Sequence, residues 1–104
     1  MSDSTVMDPT LKDKEKLENK KPKQYQVVFL NDDFTSMEFV THMLSRYHGK
    51  NGEAAQKIMM EVHEKGKAIA GIYTHEIAET KVFLVNQQAK INQFPLKNIM
   101  EEVQ

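Results

Sequence analysis

A chain of 104 residues, 39% of them apolar and 28% charged, fits one soluble globular domain with a modest core. Its net charge of −1, with the signs mixed, excludes a basic field that would draw in nucleic acid. The absence of Cys excludes a disulfide framework, thiolate chemistry and a Cys-based metal site, and no stretch approaches the run of about 18 apolar residues that a membrane span needs.

Residues 1–23 read as a charged tail, since Val6, Met7, Leu11 and Leu17 are too sparse to bury much. Residues Met1 to Thr10 lack the apolar run of a signal peptide, which fits a cytoplasmic protein. Pro22 marks the boundary, and residues 24–104 form the expected core domain. Its first element is a strand, Tyr25–Leu30, with Tyr25, Val27 and Phe29 on one face. A polar turn, Asn31-Asp32-Asp33, follows. Thr35 is then placed to cap a helix, with Glu38 reaching back in a capping box. That helix is predicted over Ser36–Tyr47, with Met37, Val40, Leu44 and Tyr47 as its stripe and Gly49 at its end.

Asn51 reads as the cap of a second helix, whose stripe is Ala55, Ile58, Met59 and Val62 and which Gly66 closes. The short Gly-containing link predicts a helical hairpin. A second strand is expected over Lys67–Tyr73; it either continues through Ile77 or yields at Thr74 to a cap. The set Ala78, Val82, Val85 and Ala89 places a third helix near Glu79–Asn92. Past Pro95, Leu96–Glu102 reads as a short last strand near a sheet edge. The order β-α-α-β-α-β predicts an α+β fold, one small sheet covered by helices on one face.

The turn Asn31-Asp32-Asp33 carries the candidate chemistry. Such residues favour turns because their side chains bond local amides, and acidic groups gain from a helix dipole. That accounts for one of them better than for three in a row. The loop is acidic and lacks the glycines of a phosphate cradle, and it has no Asp-x-Asp-x-Asn-Gly pattern for calcium. Two carboxylates and an amide carbonyl suit an ammonium, which offers three donors. His63, at the end of the second helix, either steadies that helix end or faces the turn across the hairpin. Met37, Val40, Met59 and Val62 lie on facing stripes, as core or as the wall of a pocket. None of the four histidines shows metal-ligand spacing with another.

The run Tyr25–Val40, the block Val62-His63-Glu64-Lys65-Gly66-Lys67-Ala68 and the block Glu76-Ile77-Ala78-Glu79-Thr80-Lys81-Val82 together resemble the ClpS family, bacterial adaptors of the Clp protease. The resemblance spans Tyr25 to the C-terminus. Ser36 stands where many members have Pro, and Phe34 where Tyr is frequent. The resemblance implies three antiparallel strands packed on three helices and no catalysis or cofactor. It also implies binding of proteins with N-terminal Phe, Leu, Tyr or Trp, delivered as a monomer to the ClpA unfoldase and ClpP peptidase. By position, Asn31, Asp33 and His63 would contact the α-amino group, with Asp32 supporting. Thr35, Met37, Val40, Met59, Val62 and Leu96 would line the side-chain pocket, with Met37 excluding β-branched residues. Glu76 and Lys81 would face the ClpA N-terminal domain, and the tail would enter the unfoldase.

The chemistry of such a ligand agrees. An α-amino group, with a pKa of ~7.7–8.0, is mostly charged at neutral pH. Burial of a Leu or Phe side chain contributes roughly 1.5–3 kcal/mol. An internal Phe lacks the ammonium and would leave a carboxylate unpaired. Two other readings stand beside this one. One is a small hydrolase using Asp33 and His63 as acid and base, for which the sequence has no nucleophile elbow. The other is a structural interaction domain of the ribosomal-stalk type, which has no need of the acidic turn.

Overall fold

The computed structural model describes residues 22–104. The tail expected over residues 1–23 therefore lies outside the described residues, apart from Pro22 and Lys23. The elements run β1 (Gln24–Leu30), α1 (Met37–His48), α2 (Gly52–Lys65), β2 (Lys67–Thr74), α3 (His75–Ile91) and β3 (Lys97–Glu102). They form an α+β fold, an antiparallel sheet in the order β2-β1-β3 with the helices on one face. The last strand lies at an edge, as its position after Pro95 suggests.

Strand alternation decides what the helices cover. Val27 and Phe29 of β1 are fully buried, and Ala68 and Ala70 of β2 turn to the same core. Small residues on β2 let α2 pack closely against the sheet. The helices contribute Phe39, Val40, Met43 and Leu44 from α1, then Ala55, Met59 and Val62 from α2. From α3 come Ala78, Val85 and Ala89, the set its sequence spacing marks out. Val28 points away from the helices, yet it is buried between its cross-strand neighbours Ile69 and Ile99.

Local capping differs from expectation at three places. The cap of α1 is Ser36, whose Oγ accepts a 3.0 Å hydrogen bond from the Phe39 N–H, and not Thr35. The Thr35–Glu38 capping box does not form, because the Thr35 hydroxyl turns back to Asp32. At α2, Asn51 occupies the cap position, but its Oδ1 accepts from the Ser45 hydroxyl of α1 at 2.7 Å instead of capping its own helix. Helix α3 begins at His75, a turn earlier than Glu79, directly where β2 ends at Thr74. The strand and the cap position thus meet in one residue. The left-handed backbone at Gly49 and Gly66, with φ of 64° and 91°, ends α1 and α2 as predicted.

A candidate binding site at the strand-to-helix turn

The turn between β1 and α1 is built around Asp32. Its Oδ1 accepts from the backbone N–H of Phe34 at 2.8 Å and of Thr35 at 2.7 Å, and its Oδ2 accepts from the Thr35 hydroxyl at 2.7 Å. This is an Asx-type turn, the local use to which Asp side chains are suited. Burial pushes the Asp32 carboxyl up, but the bonds from Thr35 and Phe34 outweigh it and hold the group below its ordinary value. Both oxygens are therefore engaged in shaping the loop. Asn31 and Asp33, on either side, are exposed.

A second bond fixes where the turn sits. The Asn31 N–H donates to the Gly66 carbonyl at 2.9 Å, tying the end of β1 to the end of α2. Because the left-handed Gly66 follows the last turn of α2, this bond brings His63 beside the acidic loop. Nothing in the periodicity of either segment reveals that contact; it depends on a backbone pairing between residues 35 positions apart (66 − 31).

Between these elements lies a cavity of about 210 Å³. Its polar rim is formed by Asn31, Asp32, Asp33 and His63. Its inner surface is formed by Thr35, Met37, Val40, Met59 and Val62. Val40, Met59 and Val62 are buried, whereas Met37 is 42% exposed and stands at the mouth. The volume is below the ~300–1,000 Å³ of sites for drug-sized molecules and suits a single large side chain. The arrangement is asymmetric. Acceptor groups gather at the rim and apolar carbon and sulfur at the base, so an amphipathic ligand with a cationic end is favoured.

Leu96 packs in the same core cluster as Val40, Met59 and Val62. It is buried just before β3 and borders a different depression, beside Asn86 and Lys90 of α3. Glu76 and Lys81 lie apart from the cavity, on the first two turns of α3. Glu76 is exposed. Lys81 is half-buried, with Nζ 5.0 Å from the centre of the Tyr73 ring and donating to the Tyr47 carbonyl.

The sequence reading missed a buried cluster behind Lys81. Nδ1 of His48 lies 2.7 Å from the Tyr73 hydroxyl, and His48 also meets Phe29 edge-on. Tyr73 can reach it only because residue 71 is Gly: a Cβ there would stand 2.2 Å from the Tyr73 oxygen. The sequence signal was the Gly two residues before an aromatic on one strand, which alternation puts on the same face.

A turn with its structural carboxylate saturated and its neighbours free, set over an apolar cavity, defines a small binding domain. The matches to known proteins give that domain its family. Residues 20–99 match the family described as ATP-dependent Clp protease adaptor protein ClpS. The ClpS adapter of Bdellovibrio bacteriovorus is 52% identical over 81 residues, 78% of this chain and 71% of the relative. That of Ruegeria pomeroyi is 52% identical over 83 residues, covering 80% and 74% respectively. The structure of Agrobacterium tumefaciens ClpS2 bound to L-phenylalaninamide superposes with a TM-score of 0.77 at 35% identity, over 80% of this chain and all of that one. The chain belongs to the ClpS family, adaptors of the Clp protease. Among the described residues, no helix is long and apolar enough to cross a membrane.

Proposed function

We propose that this protein is a non-enzymatic adaptor that binds proteins through a large hydrophobic N-terminal residue, Phe, Leu, Tyr or Trp, and passes them to a ClpA-type unfoldase with its ClpP peptidase. The observation that carries the reading is the division of labour at the turn. Asp32 is saturated by Thr35 and Phe34, while Asn31, Asp33 and His63 present polar groups at the rim of an apolar cavity. A free α-ammonium would donate to the Asn31 carbonyl oxygen, the Asp33 carboxylate and a neutral His63. The side chain on the same carbon would enter between Val40, Met59 and Val62. The ligand of the Agrobacterium structure supports this: it has a free amine, a benzyl side chain and an amide in place of the next peptide bond.

In this reading the protein acts as a cytoplasmic monomer. Glu76 and Lys81 face the unfoldase N-terminal domain, residues 24–104 form the adaptor core, and residues 1–23 are the segment that enters the unfoldase. His63 can accept from the ammonium only through a ring nitrogen that carries no proton. The test is titration of a fluorescent peptide beginning with Phe against its N-acetylated twin. The free amine should bind at least about tenfold more tightly, as loss of a charge-assisted bond costs roughly 1.5–3 kcal/mol. Equal binding of the two would overturn the reading.

A further inference from the structure

The cavity does not end at Met37. On the far side of that side chain a groove of about 540 Å³ runs between α1 and α2, and Met37 and Met59 border both hollows. Glu38, His42 and Gln56 form the groove's exposed rim. Two hydroxyls within it are already engaged. Thr41 donates to the Met37 carbonyl at 2.9 Å, and Ser45 donates to Asn51 Oδ1 at 2.7 Å. The groove thus combines a thioether wall with one carboxylate, Glu38. That chemistry suits an aliphatic stem carrying a cation.

The geometry of an extended chain says which residue would reach it. Successive side chains point to opposite sides, and the chain advances ~3.3 Å per residue. The first and third side chains therefore fall on the same side, roughly 7 Å apart. With the first side chain in the cavity and Met37 as the partition, the third side chain comes down beyond the partition. We infer that the α1–α2 groove is a second specificity subsite, which takes the third residue of the bound N-terminus and favours Arg or Lys there. This rests on the proposed binding of the first residue in the adjoining cavity.

The test uses the full chain and peptides Phe-Ala-Xaa, extended by a labelled neutral tail, with Xaa as Ala, Leu, Arg or Glu. Arg should bind about two- to fivefold more tightly than Ala, the range of an exposed ion pair, and Glu more weakly than Ala. The same scan at the second position should leave affinity within about twofold, because that side chain points to solvent. Glu38→Lys should invert the order of Arg and Glu while leaving the Phe-Ala-Ala peptide unchanged. A flat scan at the third position, or an Arg preference that survives Glu38→Lys, would overturn the inference. An N-acetylated Phe-Ala-Ala control separates the two failures. If it binds as well as the free amine, the cavity reading itself fails. If only the free amine binds and the third-position scan is flat, the groove assignment alone fails.

Discussion

The Asp32 carboxylate receives both the backbone N–H and the hydroxyl of Thr35, so the more buried of the two adjacent aspartates is a structural group. Asp33 is left to face the rim. The pair should therefore separate on mutation. Asp33→Asn should lower affinity for a Phe-initiated peptide by about 10- to 100-fold, the loss of roughly 1.5–3 kcal/mol for a charged hydrogen bond, with little change in thermal stability. Asp32→Ala should lower thermal stability as well as affinity, since two backbone N–H groups and a hydroxyl lose their acceptor. Calorimetry beside a binding titration checks both. The carboxylate of Asp32 is held below its ordinary value, so its contribution is present at neutral pH and is lost only as the pH falls through that lowered value.

Ser36 and Thr35 make a second contrast. Ser36 caps α1 through the Phe39 N–H, and Thr35 belongs to the Asp32 turn. Ser36→Ala should cost about 1 kcal/mol, a fall of roughly 4–8 °C in melting temperature for a domain of this size, with peptide affinity nearly unchanged. Thr35→Val should instead weaken peptide binding by loosening the loop that carries Asp33. Equal effects of the two on stability and binding would place the cap elsewhere.

That contrast shows how much the sequence discloses. The hydrophobic periods of α1, α2 and α3 locate the core because burial of Leu44, Val62 or Val85 follows from spacing alone. The acidic turn and the Met37, Val40, Met59 and Val62 surfaces are legible for the same reason. Caps are harder. Thr35 and Ser36 are adjacent and both capable, and which one caps depends on whether a carboxylate upstream claims the other. The Asn31–Gly66 and His48–Tyr73 contacts join residues far apart in the chain, and no local pattern encodes such pairings.

In the proposed function Met37 would be the gate that decides which side chains enter. It is 42% exposed and stands between the cavity and the α1–α2 groove. A side chain branched at Cβ is widest next to its Cα, where it would pass the Met37 thioether on entering. Met37→Ala should therefore admit peptides beginning with Ile or Val, raising their affinity at least about fivefold, a gain of roughly 1 kcal/mol from partial side-chain burial. Stability should change little, because an exposed side chain leaves no buried cavity behind. A variant with unchanged preference for Phe over Ile would remove Met37 from the gate.

The last prediction concerns His48, which is 7% exposed. Burial lowers its pKa to about 4, and the positive charges of Lys81 and Lys50 add to the effect. Its Nδ1 meets the Tyr73 hydroxyl, while Nε2 is buried without a hydrogen-bond partner among the described residues. The folded value lies below the ~6.5 of an unperturbed histidine. Between those two values the unfolded chain takes up a proton that the folded chain refuses. Stability is therefore greatest above about pH 6.5 and falls as the pH drops towards 4, by at most about 3 kcal/mol from this residue. His48→Phe keeps a ring against Phe29 and removes the titration, but leaves the Tyr73 hydroxyl without its partner. The variant should be less stable than the wild type at pH 7.5, by at most about 1–3 kcal/mol, since the hydroxyl that loses its partner is part-buried. The gap should narrow steadily as the pH is lowered to 4.5. Urea unfolding at both pH values measures it. Parallel pH profiles would mean that His48 takes up its proton in the folded protein as readily as in the unfolded chain.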